Sequence, residues 1–141
     1  MFKIVTNQDE LLKAYCVRSI VFVEQQQCPY DIEHDGLDYS ALHLLGEEGG
    51  EPFAAARIRF LGPYAKFERI AIREAYRGRG LGHALVNFMI EVARERGFTQ
   101  FKMHAQAHLA NFYRVHGFET RGEIFQEAGI DHYLMVRHDP V

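Results

Sequence analysis

The chain has 141 residues, of which 48% are hydrophobic and 25% charged, a composition typical of one globular domain spanning residues 1–141 and not of a disordered chain. Its net charge of −3 argues against a nucleic-acid-binding protein, and no apolar run approaches the roughly 20 residues that a membrane span needs. Because MFKIVTNQDELL lacks the apolar core of a signal peptide, we expect a cytoplasmic protein with neither a nucleic-acid nor a membrane partner.

Strand and helix patterns alternate along the chain. A strand at 2–5 precedes a helix that begins near Asn7 or Asp9 and runs to about residue 23, whereas 24–40 has no clear period and indicates a loop or broken helix. Further strands are predicted at 41–47, 53–60, 65–72, 99–105, 119–127 and 131–137, with helices at about 81–97 and 107–116. This order predicts an α/β or α+β domain, with a mixed sheet and flanking helices.

Charge is distributed unevenly. Residues 24–56 contain eight acids and no Lys or Arg, whereas residues 57–79 contain seven bases against Glu68 and Glu74. One interpretation is a solvated acidic loop, 24–40 at its centre, followed by ordinary exposed bases. The other is a polyanion bound near the second segment, with a cationic group favoured near the first.

The stretch Arg77-Gly78-Arg79-Gly80-Leu81-Gly82 lies between a predicted strand and an amphipathic helix. The first N–H groups of a helix have no partner within it and carry partial positive charge, and glycines let a bulky anion approach them. The stretch therefore predicts a phosphate site; a tight turn with close packing is the alternative. A P-loop is excluded because GxxxxGK is absent, and Leu85 stands where a dinucleotide fingerprint needs a small residue.

The run IREAYRGRGLGHALV resembles the acetyl-CoA-binding motif of the GNAT N-acetyltransferase superfamily, in which Arg or Gln is followed by two residues, Gly, any residue, and Gly or Ala. The downstream run ANFYRVHGFE resembles the family's helix with its Asn, Tyr and Gly-Phe. VFVEQQQCPYD, MHAQAHLANFYRVHGF and GIDHYLM further resemble a small bacterial subgroup of uncharacterised GNAT proteins. The resemblance covers nearly the whole chain and implies the GNAT fold, a central mixed, mostly antiparallel sheet flanked by helices.

The resemblance also implies how acetyl-CoA is held. Backbone amides of residues 77–82 would bind its pyrophosphate, and the strand ending at Ile72 would splay from strand 99–105. Main chain of that strand would then pair with the pantetheine arm like an added strand, while Asn111 would reach the cofactor from the opposite helix. The predicted cofactor-binding residues are Ile70, Ala71, Ile72, Arg77, Gly78, Arg79, Gly80, Leu81, Gly82 and Asn111.

Acetyl transfer to an amine requires that the ammonium lose a proton and that the departing thiolate gain one. The resemblance places Tyr113 near the thioester sulfur, and a phenol suits this donation because its pKa of about 10 is close to the thiol's, about 8.5; a core tyrosine beside Phe112 is the alternative. Glu68 is the candidate base, because it precedes Ile70 by two residues on the same predicted strand face. A surface Glu paired with Arg57 or Arg59 is the alternative.

The predicted function is transfer of an acetyl group from acetyl-CoA to a primary amine, by direct attack in a ternary complex. No metal is expected, since His104 and His108 straddle a strand end and a helix start. No acyl-enzyme is expected either, since the resemblance gives Cys16 and Cys28 no role. The alternative function is a non-catalytic acyl-CoA-binding sensor or scaffold. The sequence leaves open the small-molecule amine acceptor, the roles of His43, His104 and His132, and the oligomeric state, although the resemblance implies that homodimers are common.

Overall fold

Seven strands form one sheet in the computed structural model, which describes residues 1–140. The strands are β1 (Phe2–Ile4), β2 (Leu42–Glu48), β3 (Glu51–Leu61), β4 (Tyr64–Ile72), β5 (Gln100–Gln106), β6 (Glu119–Glu127) and β7 (Ile130–His138). They lie in the order β1-β2-β3-β4-β5-β7-β6. Only β4 and β5 pair in parallel, and the other neighbours are antiparallel, which confirms the predicted mixed, mostly antiparallel sheet.

Helices occupy the predicted places, with one difference of geometry. They are α1 (Gln8–Arg18), α2 (Tyr30–Glu33), α3 (Leu81–Glu95) and α4 (Ala110–Arg114), with single 3-10 turns at Asp38–Ser40, Glu74–Tyr76 and Ala107–Leu109. Asn7 caps α1, since its side chain accepts a hydrogen bond from the Glu10 N–H at 2.9 Å. The first helix does not stay α-helical to residue 23, because a π-helix, Ser19–Gln25, continues it.

The two faces of the sheet are covered by different helices. Successive strand residues point to opposite faces, so neighbours such as Leu44 and Leu45 belong to different clusters of buried side chains. The smaller cluster joins α1 and the π-helix to the sheet through Ala14, Val17, Val21, Leu45, Ala55 and Ala71. The larger joins α3 to the other face and includes Leu44, Phe53, Ile58, Leu85, Val86, Met89 and Phe101.

The two edge strands of the sheet differ in length. β1 has three residues, whereas β6 has nine. The register of β6 against β7 shifts between Arg121 and Phe125, so the longer edge strand contains a bulge. Within residues 1–140, no helix combines the length and the apolar composition of a membrane-spanning segment.

Candidate active site

The parallel pairing of β4 with β5 ends halfway along β4. Paired residues run from Tyr64 with Gln100 to Phe67 with Met103, although β4 continues alongside β3 as far as Ile72. The two strands therefore separate, as the resemblance implied, and leave the β5-facing main chain of residues 68–72 without a strand partner.

A bulge in β4 lies at this separation. The register with β3 pairs Arg57 with Glu68 but Ala55 with Ala71, so one β3 residue faces two on β4. Arg69 has a φ of +56°, the left-handed region that non-glycine residues rarely adopt. A bulge bends its strand and increases the twist, so it turns the end of β4 away from β5.

A cavity of about 610 Å³ lies between the end of β4, the start of α3 and α4, within the size range of small-molecule sites. We call it the cofactor cavity. Eight of the ten predicted cofactor-binding residues line it, namely Ile70, Ala71, Ile72, Arg77, Gly78, Gly80, Leu81 and Gly82. The predicted phosphate stretch and the unpaired end of β4 thus border one space.

The glycines of this stretch have two different tasks. Gly78 and Gly80 have φ angles of +81° and +74°, and Gly80 is the N-cap of α3 without any side-chain cap. Since the first-turn amides of α3 have no partner within the helix, they present donors and the positive end of the dipole to the cavity. Gly82 permits close packing, because a Cβ there would lie 3.2 Å from the Phe112 ring.

Two of the predicted residues lie outside the lining of the cofactor cavity. Arg79 pairs with Glu48 at 3.1 Å, and Asn111 is exposed and accepts a hydrogen bond from Arg114. Arg77 does line the cavity, but its side chain donates to the Ile72 carbonyl at 2.9 Å. The roles of these side chains toward the cofactor therefore stay predictions.

A second cavity of about 340 Å³ lies on the other side of the β4 end, beneath the loop 26–37; we call it the acceptor cavity. The residues that line both cavities are Gln26, Ile70, Gln106, Leu109 and Tyr113. Tyr113 is only 6% exposed, and burial raises the pKa of its phenol to about 12. The phenol therefore keeps its proton at neutral pH. Its side chain lies where the two cavities meet.

Glu68 lies in the acceptor cavity as part of an ion-pair cluster. Its carboxylate accepts hydrogen bonds from Arg57 at 3.0 Å and Arg59 at 2.7 Å, and Lys66 lies 2.9 Å away. Burial acts to raise its pKa, but these three cations outweigh burial and lower the pKa to about 2. The ion pairs that were the alternative interpretation are present, and so weakly basic a carboxylate is poorly suited to accept a proton at neutral pH.

The acidic segment is not simply a solvated loop. Glu33 and Asp38 are buried, and both bond to Arg18, whose side chain is fully buried. Arg57, also fully buried, binds Asp38 at 2.9 Å and Asp35 at 2.7 Å. The expectation of a solvated loop was wrong for these acids, because arginines of α1 and β3 are their partners. The signal in the sequence was Arg57, which interrupts the otherwise apolar FAAARI.

Two of the three strand histidines line the acceptor cavity, together with an acid that the sequence did not single out. His104 Nδ1 lies 3.0 Å from Glu127 Oε1, and His132 Nε2 lies 3.8 Å from Glu127 Oε2. His132 Nδ1 donates to the Ile130 carbonyl at 2.7 Å, which leaves Nε2 as the acceptor of a neutral ring. His43 lies elsewhere and bonds the Asp38 carbonyl. Among residues 1–140, no three His, Cys, Asp or Glu side chains are grouped as a metal site requires.

Comparison with known proteins decides the family. The profile of the acetyltransferase (GNAT) family matches residues 9–118. The chain belongs to the GNAT acetyltransferase family. This confirms the resemblance drawn from the glycine stretch, and it makes the protein a GNAT acetyltransferase with the fold of that family.

Similar proteins support the assignment. ElaA of Escherichia coli is 37% identical over 127 residues, 86% of this chain and 82% of ElaA. Its crystal structure matches 98% of this GNAT chain and 99% of ElaA with a TM-score of 0.87 and 30% identity. An acyl-CoA N-acyltransferase from Pseudomonas aeruginosa matches with a TM-score of 0.89 at 30% identity, over 97% of this chain and 98% of its own.

One more distant neighbour was solved with a ligand. A GNAT family acetyltransferase from Elizabethkingia anophelis with acetyl-CoA bound has a TM-score of 0.69 at 16% identity, over 98% of this chain and 97% of its own. At that identity the likeness shows the shared fold alone.

Proposed function

We propose that this GNAT protein transfers the acetyl group of acetyl-CoA to a primary amine, by direct attack of the amine on the thioester in a ternary complex. One observation carries the proposal: two cavities meet at Tyr113 and Ile70, where β4 and β5 separate. Two substrates that enter from opposite sides can meet there, so no acyl-enzyme is needed. The acetyl-CoA bound to the Elizabethkingia neighbour supports acetyl-CoA as the donor.

The cofactor cavity suits both the pyrophosphate and the extended pantetheine arm of acetyl-CoA. We propose that the uncapped amides at the start of α3 hold the pyrophosphate, with Arg77 and Arg79 adding positive charge. The unpaired main chain at Ile70, Ala71 and Ile72 would bond the pantetheine arm, because side chains of Ile and Ala offer no polar group. Asn111, whose side chain accepts a hydrogen bond from Arg114 in this structure, is proposed to reach the cofactor from α4.

Tyr113 is proposed as the general acid. When the amine nitrogen bonds to the acetyl carbon and the carbon–sulfur bond breaks, the departing thiolate takes the phenolic proton, and solvent returns a proton to Tyr113. The raised pKa of about 12 keeps the phenol protonated before the reaction, although it makes Tyr113 a weaker donor than an exposed phenol, whose pKa of about 10 is closer to the thiol's. The hydroxyl lies at the border of both cavities, where the thioester and the amine must approach each other.

Glu68 remains a proposed base, but the geometry supports His132 better. Glu68 is bonded to three cations and has a pKa of about 2, whereas the ring of His132 is held by the Ile130 carbonyl with Nε2 left to accept. A neutral imidazole nitrogen with a free lone pair can accept a proton from an ammonium group.

The acceptor amine is proposed to bind near Glu127. The other acids lining the acceptor cavity, Glu33, Asp35 and Glu68, are each paired with Arg or Lys. Within residues 1–140, the partners of Glu127 are histidines, His104 at 3.0 Å and His132 at 3.8 Å. An ammonium group would therefore find its counter-charge there, next to the nitrogen proposed to deprotonate it.

An amine screen tests the proposed function. Small primary amines, amino sugars and polyamines are mixed with acetyl-CoA and the purified protein, and released thiol is measured with a chromogenic disulfide. We expect turnover with at least one class of small amine. CoA at about 100 times its dissociation constant should add about 2.7 kcal/mol to the free energy of unfolding. CoA binding without turnover on any amine would favour the sensor or scaffold instead, and no CoA binding would contradict both.

A further inference from the structure

His83 begins a chain of hydrogen bonds that leads inward from the cofactor cavity. It lies in the first turn of α3, lines the cavity and stacks on Phe112, with 4.3 Å between ring centroids. Its Nδ1 lies 2.8 Å from Nε2 of His116, and Nδ1 of His116 lies 3.1 Å from Oδ1 of Asn87. Neither the glycine motif nor the mechanism proposed above accounts for this arrangement.

Only one assignment of donors and acceptors is consistent with this series of hydrogen bonds. An amide oxygen can only accept, so His116 donates from Nδ1 to Asn87. Burial, with smaller contributions from His83 and Arg137, lowers the pKa of His116 and keeps its ring neutral. A neutral ring that donates from Nδ1 accepts at Nε2, so His83 must donate from its own Nδ1. Nε2 of His83 then carries a lone pair, and no residue within 1–140 bonds to that nitrogen.

We propose that Nε2 of His83 takes up a proton from solvent when acetyl-CoA binds, and that the resulting imidazolium donates a hydrogen bond to the cofactor's pyrophosphate. The inference rests on the proposed function, which puts the pyrophosphate at the amides beginning α3. His116 and Asn87 act as positioning residues, because they hold Nδ1 of His83 and so aim Nε2 away from themselves.

The electrostatic surroundings of His83 explain why the proton arrives with the ligand. The charged and titratable groups near it are His116 with Arg137 behind it, and Tyr76, Arg77, His108 and Tyr113 on the cavity wall. None of these groups is a carboxylate. A pyrophosphate bound beside the ring brings negative charge into surroundings that hold no carboxylate, and so favours the charged form of the ring.

Proton uptake makes the affinity for the cofactor depend on pH. The bound state holds more protons than the free state, so binding strengthens as pH falls through the neutral range. Uptake of up to one proton per ligand changes the affinity by up to about tenfold per pH unit. His116 keeps the ring of His83 in place through the hydrogen bond to its Nδ1.

Calorimetric titration with dephospho-CoA tests the inference. This probe keeps the pyrophosphate but lacks the phosphate monoester, which itself titrates near pH 6. Titrations at pH 7 in buffers of different ionisation enthalpy report the number of protons taken up. We expect uptake of about half a proton or more for the wild type, and none for His83→Gln, which keeps an N–H donor but cannot be charged. His83→Lys should bind at all pH values about as tightly as the wild type does at low pH.

The matched control is His108→Gln, which removes the other histidine of the same cavity and should leave proton uptake unchanged. Equal proton uptake by the wild type and a folded His83→Gln protein would overturn the role of His83 while leaving the proposed function intact. Failure of the wild type to bind either CoA or dephospho-CoA would instead overturn the proposed function itself.

Discussion

Tyr113 is the residue at which the substrates would meet, and its hydroxyl can be removed with little change of volume. We expect Tyr113→Phe to lower kcat about 100-fold, the size of effect typical of a lost general acid, with KM for acetyl-CoA nearly unchanged because the phenol acts in the transition state. Steady-state kinetics on an amine found in the screen measures both constants.

The control for this prediction is Tyr133→Phe. Tyr133 lies on β7 and is not among the residues lining either cavity, so its variant should keep the wild-type kcat. An unchanged kcat in Tyr113→Phe would show that the thiolate departs unaided and that Tyr113 serves in packing.

The choice between two bases is decided by the pH dependence of the rate. If His132 accepts the proton, kcat/KM should fall as acid protonates its ring, and His132→Gln should lower the rate and remove that acid limb. Because the pKa of Glu68 is about 2, a rate that depended on Glu68 would show no such limb near neutral pH. Loss of activity in Glu68→Gln with an unchanged profile in His132→Gln would restore Glu68 to the role.

At the level of secondary-structure elements, a matched pair of variants can distinguish a role in CoA binding at the start of α3 from a purely structural role at its end. Gly80 and Gly97 flank the same helix, have φ angles of +74° and +85°, and have open space where a Cβ would stand. Gly80→Ala and Gly97→Ala should therefore cost similar stability, about 1 kcal/mol. Only Gly80→Ala should weaken CoA binding, by about tenfold or more, because its methyl group stands beside the amides proposed to hold the pyrophosphate. Titration calorimetry and thermal melts measure the two effects, and equal CoA affinities would argue against the phosphate site.

The segment from the π-helix to β2 is held to the sheet by buried charges. Arg57 joins Asp35 and Asp38 of this segment to Glu68 of β4. Arg57→Met leaves these acids without their shared partner, so we expect a loss of about 3–5 kcal/mol in the free energy of unfolding, measured by urea denaturation. Arg94→Met removes an exposed pair with Asp139 and should cost less than about 1 kcal/mol. Similar costs for both would mean that the buried network contributes little.

The strands and helices were predictable because their signals are local. The glycine stretch, the α3 apolar stripe and the strand before it depend on residues within a few positions of one another, and the structure places them as expected. The Glu68 argument relied on strict alternation along β4, but the bulge at Arg69 inserts an extra residue there. Both Glu68 and Ile70 still line the acceptor cavity, but the regular alternation of strand side chains is not the reason.

The buried network and the histidine chain were not predictable in the same way. Arg18 binds Asp38 across 20 positions, and His83 binds His116 across 33. Such pairs depend on which surfaces the fold brings together, and the spacing of residues in the sequence does not predict these long-range contacts. The count of charged residues identifies an acidic segment, 24–56, and a basic segment, 57–79. It could not show that side chains of the two segments form ion pairs inside the protein.

For the molecule as a whole, these ion pairs determine its response to acid. The pKa of Glu68 falls from 4.5 to about 2 on folding, and those of Asp35 and Asp38 are also lowered, since the arginines outweigh burial. Lowered carboxylate pKa values contribute stability that is fully present above about pH 4.5 and lost as pH falls toward 2. Scanning calorimetry should show a small decline of the melting temperature below about pH 6.5, because burial lowers the pKa values of His43 and His116, and a steeper decline below about pH 4.5. Glu68→Gln should flatten that decline, whereas Glu95→Gln, an exposed change, should not.

The bulge in β6 bears on how the protein behaves in concentrated solution. An edge strand presents unpaired N–H and C=O groups that can pair with another molecule, and long flat edges are sites of aggregation. Here one edge is the three-residue β1, and the other is β6, where the bulge interrupts the ladder and Glu119, Arg121, Glu123 and Glu127 place charge along the strand. The sheet therefore ends on both sides in strands that give a second chain little continuous backbone to extend, and we expect the protein to resist edge-to-edge assembly into fibrous aggregates.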